Sequence, residues 1–274
     1  MVHEIPTAAV EELRRSNPSE FIEQLQAAAQ RHSTWPWAAA LALVISLPLY
    51  LIPLLVLGPL VYWLYQRDLA ARRVVAFYDF EGQPEGQFTQ LIEAAEQLRQ
   101  SHANWIITGS GAVVTTAQHK VNSGASAVVS RRSAAVTMSG PPELVTNIAV
   151  PSLHCGDHSL FLLPDRVLMK RGRNFADVPY HELQAVVSDV RFHEGGPVPR
   201  DSQQVGTTWQ YVNVKGGPDR RYKANPQIPI MHYGRINFTT RTGLNLQWDC
   251  SQPTSARQLA QAVATYVSPP ALPN

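Results

Sequence analysis

The sequence predicts an α+β protein in which N-terminal helices and a hydrophobic membrane segment precede a mostly antiparallel β domain, closed by a C-terminal helix. Three observations lead to this fold class. Residues 33–66 contain no charged side chain. From about residue 147 onward, short apolar runs alternate with turn signals, which is typical of antiparallel strands. Residues 253–267 then repeat apolar side chains at helical spacing before SPPALPN ends the chain.

Residues 1–34 are predicted to form a short helical region. Asn17-Pro18-Ser19-Glu20 supplies an N-cap residue, a proline at the first helical position and a glutamate at the third. The apolar residues that follow share one helical face: Phe21, Ile22, Leu25, Ala28 and Ala29. Such a helix is suited to lie on a membrane, to pack on the folded domain or to dimerise, and these three alternatives stay open.

Residues 35–66 are predicted to enter the membrane. The 34 uncharged residues of the run would measure about 51 Å as one straight helix, whereas about 20 residues cross a bilayer core of about 30 Å. Tryptophan and tyrosine cluster at both ends, as they do at membrane interfaces. Three prolines interrupt the run, so it forms either one kinked pass or a short hairpin that turns near Leu49–Ile52. The single pass is favoured because each hairpin arm would be short for a full crossing.

The orientation follows from the flanking charges. Arg67, Arg72 and Arg73 come directly after the uncharged run, whereas Arg31 is the single arginine close before it. Because positively charged flanks remain on the cytoplasmic side, residues 67–274 are predicted to face the cytoplasm from the cell membrane. In a single pass the N-terminus would lie outside, and in a hairpin both ends would lie inside.

The remaining chain divides into four predicted units: a strand–helix–strand element at 67–108, a Gly/Ser-rich connection or weak strands at 109–146, a β domain with its terminal helix at 147–268, and a tail at 269–274. Within these units, apolar residues at every second position predict strands, and apolar residues that repeat every 3.6 positions predict helices. Strands are predicted at 74–79, 105–108, 159–163, 167–170, 208–214, 228–238 and 244–249, and a helix at 84–101.

The stretch SLFLLPDRVLMKRGRNFADVPYHELQAVV consists of a strand, a turn carrying Asp165-Arg166, a second strand, a glycine turn and a strand that ends near Tyr180. This pattern resembles the bacterial pleckstrin-homology-like domains, and the terminal helix agrees with that fold. The whole chain also resembles bacterial membrane-anchored proteins that share the KGGPDRR segment. The resemblance implies a PH-like barrel over about 147–267 and no particular activity. The long stretch 192–227 departs from a minimal domain of this type.

Basic residues are the most distinctive candidates for a binding site. The net charge is only +2, but residues 104–274 hold 16 Lys and Arg against 10 Asp and Glu. Many of these cations lie in three separate clusters, of which Arg131-Arg132 is one. The other two contain the candidate anion- or lipid-binding residues Lys170, Arg171, Arg173, Lys215, Arg220, Arg221 and Lys223. Arginine forks match phosphate oxygens, and glycines expose backbone N–H groups to anions. A solvated surface is the alternative interpretation.

Other motifs carry little chemistry. Gly109-Ser110-Gly111 lacks the third glycine of a dinucleotide fingerprint, and TTAQH is a poor helix start, so a flexible turn is expected there. His154-Cys155-Gly156-Asp157-His158 has metal-ligand types at a spacing unsuited to one site, so a hairpin turn is expected. His181 and His193 receive no role. Cys155 and Cys250 are expected to be reduced and buried, or to form one disulfide if the domain is exported.

The function that these observations favour is a membrane-anchored, non-enzymatic binding or adaptor protein. Its partners would be the bilayer and either an anionic head group or a protein, with no catalytic residue, metal or cofactor. The modest basic excess argues against nucleic acid. The alternative is a membrane-associated enzyme acting on a phosphorylated or anionic substrate around Arg220 and Arg221.

Overall fold

The computed structural model describes residues 3–4, 20–47, 54–79 and 83–266. Its helices are α1 (Glu20–Gln30), α2 (Trp35–Ser46), α3 (Leu54–Ala71), α4 (Gln83–Gln100), α5 (Thr116–Val121) and α6 (Pro253–Thr265). Its first seven strands are β1 (His3–Glu4), β2 (Val74–Ala76), β3 (Asn104–Ala112), β4 (Ala127–Ser133), β5 (Ala135–Thr137), β6 (Leu144–Thr146) and β7 (Ser152–Cys155). The others are β8 (His158–Leu162), β9 (Val167–Arg171), β10 (Asn174–Val178), β11 (Gln184–His193), β12 (Gln203–Trp209), β13 (Gln227–Thr239) and β14 (Asn245–Cys250).

The larger sheet is antiparallel and has seven strands. Its main order is β4-β3-β14-β13-β11, while β1 also pairs with β3 and β12 with β13. The sheet curls into a half-barrel, so Arg131 of the edge strand β4 contacts Phe192 of the opposite edge strand β11. Since β3 and β4 pair into the same sheet as β13 and β14, the larger sheet contains strands from both sides of residue 147.

The second sheet is a five-stranded antiparallel sheet in the order β10-β9-β8-β7-β5. The predicted hairpin with its Pro164-Asp165-Arg166 turn is confirmed, because β8 pairs with β9 over Leu162↔Val167 to His158↔Arg171. The HCGDH segment also forms the predicted hairpin turn. Gly156 and Gly172 occupy the two tight turns at φ of +76° and +59°, a conformation that favours glycine.

Two cores hold the sheets and helices together. In the main core, α4 and α6 pack against both sheets around Phe88, Leu259 and Trp248. The predicted apolar faces of both helices are confirmed by their burial. The smaller core joins α1 to the outer side of the five-stranded sheet, where Ile22 and Leu25 contact Phe175 and its neighbours. Of the three alternatives for the first helix, packing on the folded domain is therefore the one observed, while its predicted N-cap lies outside the described residues.

The uncharged run forms two helices, α2 and α3, which pack side by side. The start of α2 lies beside the end of α3, since Trp35 contacts Tyr65 with ring centroids 5.2 Å apart. Ser33 just before α2 donates a hydrogen bond to Asp68 of α3 at 2.9 Å. The two helices are therefore antiparallel, as in the hairpin alternative, and the predicted turn at Leu49–Ile52 lies outside the described residues. Within the described chain, the structure contains no helix that is both long and apolar enough to cross a membrane.

The segment 109–146 is more regular than a connection. Gly109-Ser110-Gly111 lies inside β3 opposite β4, so the expected flexible turn is wrong. The rejection of TTAQH as a helix start is also wrong, because Thr115 and Gln118 form a capping box at the start of α5. The Thr115 hydroxyl accepts a hydrogen bond from the Gln118 backbone N–H, and the Gln118 side chain accepts one from the Thr115 backbone N–H. Two strand boundaries also shift. The strand expected at 74–79 ends at Ala76, and the strand expected at 208–214 is found at Gln203–Trp209.

Candidate functional site

The KGGPDRR loop connects β12 to β13, and backbone N–H groups of the loop are hydrogen-bonded to a side chain of the same segment. The Asn213 side-chain oxygen accepts hydrogen bonds from the backbone N–H groups of Lys215 at 2.8 Å and Gly217 at 3.0 Å. Gly216 between them adopts a φ of +84°. An anion would need these same N–H groups. The glycine turn is therefore already occupied by the asparagine oxygen.

Arg221 of this loop is also engaged. Its guanidinium donates to both carboxylate oxygens of Asp219, and this hydrogen bonding lowers the pKa of Asp219 to about 2. Tyr222 stacks on Tyr211 at a ring separation of 3.9 Å, which gives the loop a rigid base. Lys215, Arg220 and Lys223 are exposed and form no ion pair among the described residues. Their predicted role in anion binding stays a prediction.

The second predicted cluster lies at the turn between β9 and β10. Lys170 forms an ion pair with Glu143 at 2.7 Å, and Arg171 lies 3.4 Å from Asp157. Arg173 is exposed and forms no ion pair within the described part of the chain. Two of the three cations are therefore partly neutralised by neighbouring carboxylates. Their role in lipid binding also stays a prediction.

The predicted basic clusters do not form one continuous surface. The KGGPDRR loop lies beside α5, where the backbone N–H of Val212 donates to the Lys120 carbonyl at 3.0 Å. Arg132 lies near the other end of β4 and covers the β7–β8 turn, since a Cβ on Gly156 would meet its Nη1 at 3.0 Å. This turn also carries Asp157, the partner of Arg171. The structure thus brings Arg132 close to the Lys170–Arg173 turn and leaves the KGGPDRR loop at the opposite end of β4.

The interior of the half-barrel contains a cluster that the sequence did not reveal. The Arg131 guanidinium lies between the rings of Trp105 and Phe192, 4.3 Å from each centroid. It also forms an ion pair at 2.6 Å with Glu194, whose side chain is buried. Tyr233 donates its hydroxyl to the same carboxylate at 3.0 Å. Burial first, and the Glu194 charge second, raise the pKa of Tyr233, which therefore stays a hydrogen-bond donor at neutral pH.

A groove of about 440 Å³ lies beside this cluster, between the two edges of the curled sheet. One wall consists of residues 122–129, which precede and begin β4, and the other consists of residues 190–193 at the end of β11. The edges of these two strands therefore border the groove. Arg191, His193 and Arg235 supply its charged or titratable lining, and no lining residue is acidic. Arg235 is paired with Asp249 at 2.6 Å. Among the described residues, Arg191 is the lining arginine that forms no ion pair, and the groove is a candidate binding site of the sheet.

His193 becomes part of this groove although the sequence gave it no role. Burial lowers the pKa of His193, so the imidazole is neutral at pH 7. No local motif signals the groove, because its two walls lie some sixty residues apart in the chain. Only the curling of the sheet brings them together.

The two cysteines and His154 have partners or surroundings within the fold. Cys155 and Cys250 are free and buried, and burial raises the pKa of each thiol to about 12, so both stay protonated. His154 contacts the hydroxyls of Thr137 and Ser159. In the described residues, no group of three or more potential metal ligands comes together.

Comparisons with protein-family models, with curated proteins and with solved structures found no match. The case for a function therefore depends on the geometry of the chain itself.

Proposed function

We propose that the chain is a membrane-anchored binding protein, in which the α2–α3 hairpin inserts into the cytoplasmic leaflet and holds a PH-like half-barrel at the membrane surface. The observation that carries this proposal is the exposure of apolar side chains on both arms of the hairpin. Trp37 and Leu55 are each 80 % exposed and Val56 is 77 % exposed. The other exposed large apolar residues of the hairpin are Leu41, Leu43, Val44, Ile45, Leu47, Leu60, Tyr62, Trp63 and Tyr65.

Exposed apolar surface on this scale favours insertion into lipid. A contiguous apolar patch is a feature of interaction surfaces and is costly in water. Apart from the helix ends and the bond that Pro59 cannot donate in α3, the helical backbone of each arm satisfies its own hydrogen bonds, as the bilayer interior demands. The 12 residues of α2 measure about 18 Å and the 18 residues of α3 about 27 Å, and α3 ends in a charged turn. These lengths fit a hairpin that enters the leaflet and returns on the same side.

The base of the hairpin has the composition of a membrane interface. Trp35 and Tyr65 contact each other there, and Arg67 lies 5.5 Å from the ring centre of Trp63. The chain then turns directly into the folded part, because the Val74 N–H donates to the Glu143 carbonyl at 2.7 Å. Glu143 in turn holds Lys170. The exposed Arg171–Arg173 turn is therefore near the base, where cations are attracted to anionic lipid.

The half-barrel supplies the binding part of the proposal. Its groove between β4 and β11 is large enough for a small ligand or a short segment of a partner, and its cations favour an anionic one. The alternative function, an enzyme acting at the KGGPDRR loop, would need a general acid or base there. The carboxylate of that loop, Asp219, is held by Arg221.

Cysteine labelling of the membrane-inserted full chain tests the anchor and its topology. His32→Cys and Gln66→Cys place single thiols at the two ends of the hairpin, and both native residues are exposed. A membrane-impermeant maleimide should label both variants in inverted vesicles and neither in right-side-out vesicles. The unsubstituted chain is the matched control, since its two thiols are buried. Labelling of the two positions from opposite sides would show a single pass, and recovery of the chain outside the membrane fraction would refute the anchor.

A further inference from the structure

A cleft of about 480 Å³ opens at the base of the hairpin, between α1 and β2. One helical face of α1 forms one wall, and the chain that leaves α3 forms the other. Its main lining residues are Ala27, Ala28, Arg31, Arg73, Val74 and Val75. No acidic residue lines the cleft. The small alanine side chains leave room in front of the two arginines.

The two arginines of the cleft are available to an anion. Arg31 and Arg73 are exposed, and neither forms an ion pair within the described residues. Arg31 Nη1 donates to the Ala71 carbonyl at 3.2 Å, which holds its guanidinium beside the last turn of α3. Arg72 differs from both, because its Nε lies 3.2 Å from the Asp68 carboxylate. Arginine is the side chain best suited to grip phosphate oxygens with two hydrogen bonds.

The cleft lies at the level where lipid head groups would be found. The aromatic pair Trp35 and Tyr65 at the hairpin base marks the depth that such rings occupy in membranes. Val75 and Phe77, two residues apart on an extended segment, are 57 % and 67 % exposed. Apolar side chains thus border the two free arginines on the surface that adjoins the hairpin. This combination suits a ligand with a phosphate next to acyl chains.

We infer that the cleft binds the head group of an anionic phospholipid, with Arg31 and Arg73 donating hydrogen bonds to its phosphate. The inference rests on the proposed insertion of the hairpin, because only insertion brings head groups to the cleft. It assigns lipid recognition to two arginines that flank the uncharged run. The KGGPDRR loop lies elsewhere and has its own internal partners.

Vesicle flotation of the full chain tests the inference. The chain should float with vesicles of phosphatidylcholine alone, and at least about thirtyfold better with vesicles that contain 30 mol% phosphatidylglycerol. Arg31→Gln with Arg73→Gln should lower the partition coefficient for the anionic vesicles about thirtyfold, since each basic residue near an anionic surface adds about 1 kcal/mol, roughly a factor of five. Flotation with the neutral vesicles should not change. Arg200→Gln with Arg241→Gln removes the same charge from exposed positions outside the cleft and is the matched control.

The outcomes separate this inference from the proposed anchor. Flotation with neutral vesicles but an undiminished anionic preference in the cleft variant would overturn the cleft and leave the anchor. An equal loss in the control pair would show nonspecific attraction and would also overturn it. Arg73→Gln alone should cause about half of the logarithmic loss without touching the Arg31–Ala71 hydrogen bond. If the unsubstituted chain binds inorganic phosphate in solution but shows no preference for the anionic vesicles, the cleft binds free phosphate and the lipid assignment fails.

Discussion

The hairpin and the sheets use apolar residues in opposite ways. In the sheets, Leu153, Leu168 and Trp248 are completely buried, whereas Leu55 and Val56 of the hairpin are about four-fifths exposed. Most large apolar side chains of the sheets are buried because helices or the other sheet pack against them. The hairpin arms cover only a narrow strip of each other. One chain thus contains a region that excludes water and another whose outer surface leaves large apolar side chains exposed.

The largest expected effect comes from placing charges on the hairpin. Leu41→Asp with Val56→Asp puts one carboxylate on each arm, at an expected cost of about 5–7 kcal/mol for insertion. The full chain should then be released from membranes by alkaline carbonate, while the unsubstituted chain stays. Val186→Asp with Val205→Asp, at exposed positions of β11 and β12, is the matched pair and should leave membrane retention unchanged. Equal release of both pairs would remove the distinction between the two regions.

Truncation of one large side chain in each region gives the next effect. Trp248 is completely buried and donates its indole N–H to Asn104 at 3.0 Å. Trp248→Ala should lower the free energy of unfolding by about 3–5 kcal/mol, because it leaves a cavity and an unpaired amide. Leu55→Ala should change it by less than about 0.5 kcal/mol. Urea unfolding of the full chain in detergent micelles, followed by circular dichroism, measures both, and comparable losses would contradict the comparison.

A smaller effect tests how closely the sheet packs against its helix. A Cβ on Gly234 of β13 would lie 2.7 Å from both the Cα of Pro253 and the Cβ of Ala256. Gly234→Ala should therefore destabilise the fold by about 1–3 kcal/mol through overpacking. Gly206→Ala is the control, since its Cβ would meet Ile230 at an ordinary 3.6 Å. The same urea titration applies, and an unchanged Gly234→Ala midpoint would show that α6 can move away from the sheet.

Local patterns predicted most of the elements. The apolar faces of α4 and α6, the hairpin at Pro164-Asp165-Arg166 and the glycine turn at Gly172 each depend on neighbours within a few residues. The same reasoning failed in 109–146, where Thr115 and Gln118 start a helix without a long apolar stripe. It also missed that Gly109 and Gly111 sit in a strand, because their pairing with β4 outweighs their weak strand propensity.

The candidate sites were less predictable than the elements. The sequence indicated cations at Lys215–Lys223 and Lys170–Arg173, but it gave no sign that Asp219 would pair with Arg221 or that Glu143 would pair with Lys170. Arg31 and Arg73 served only to predict orientation, and the cleft that they share was not foreseen. Hydrogen-bond partners between distant segments depend on how the sheets and helices come together.

By itself, the sequence determined that a long uncharged segment flanked by arginines precedes a β-rich region with a terminal helix, because charge and hydrophobic period are properties of adjacent residues. Only the tertiary structure decided that this segment folds back on itself, that the sheet curls until β4 meets β11, and that Arg31 and Arg73 face one cleft. These features join residues some thirty to sixty positions apart. Their contacts form only when the chain packs, because burial and pairing between distant segments place them together.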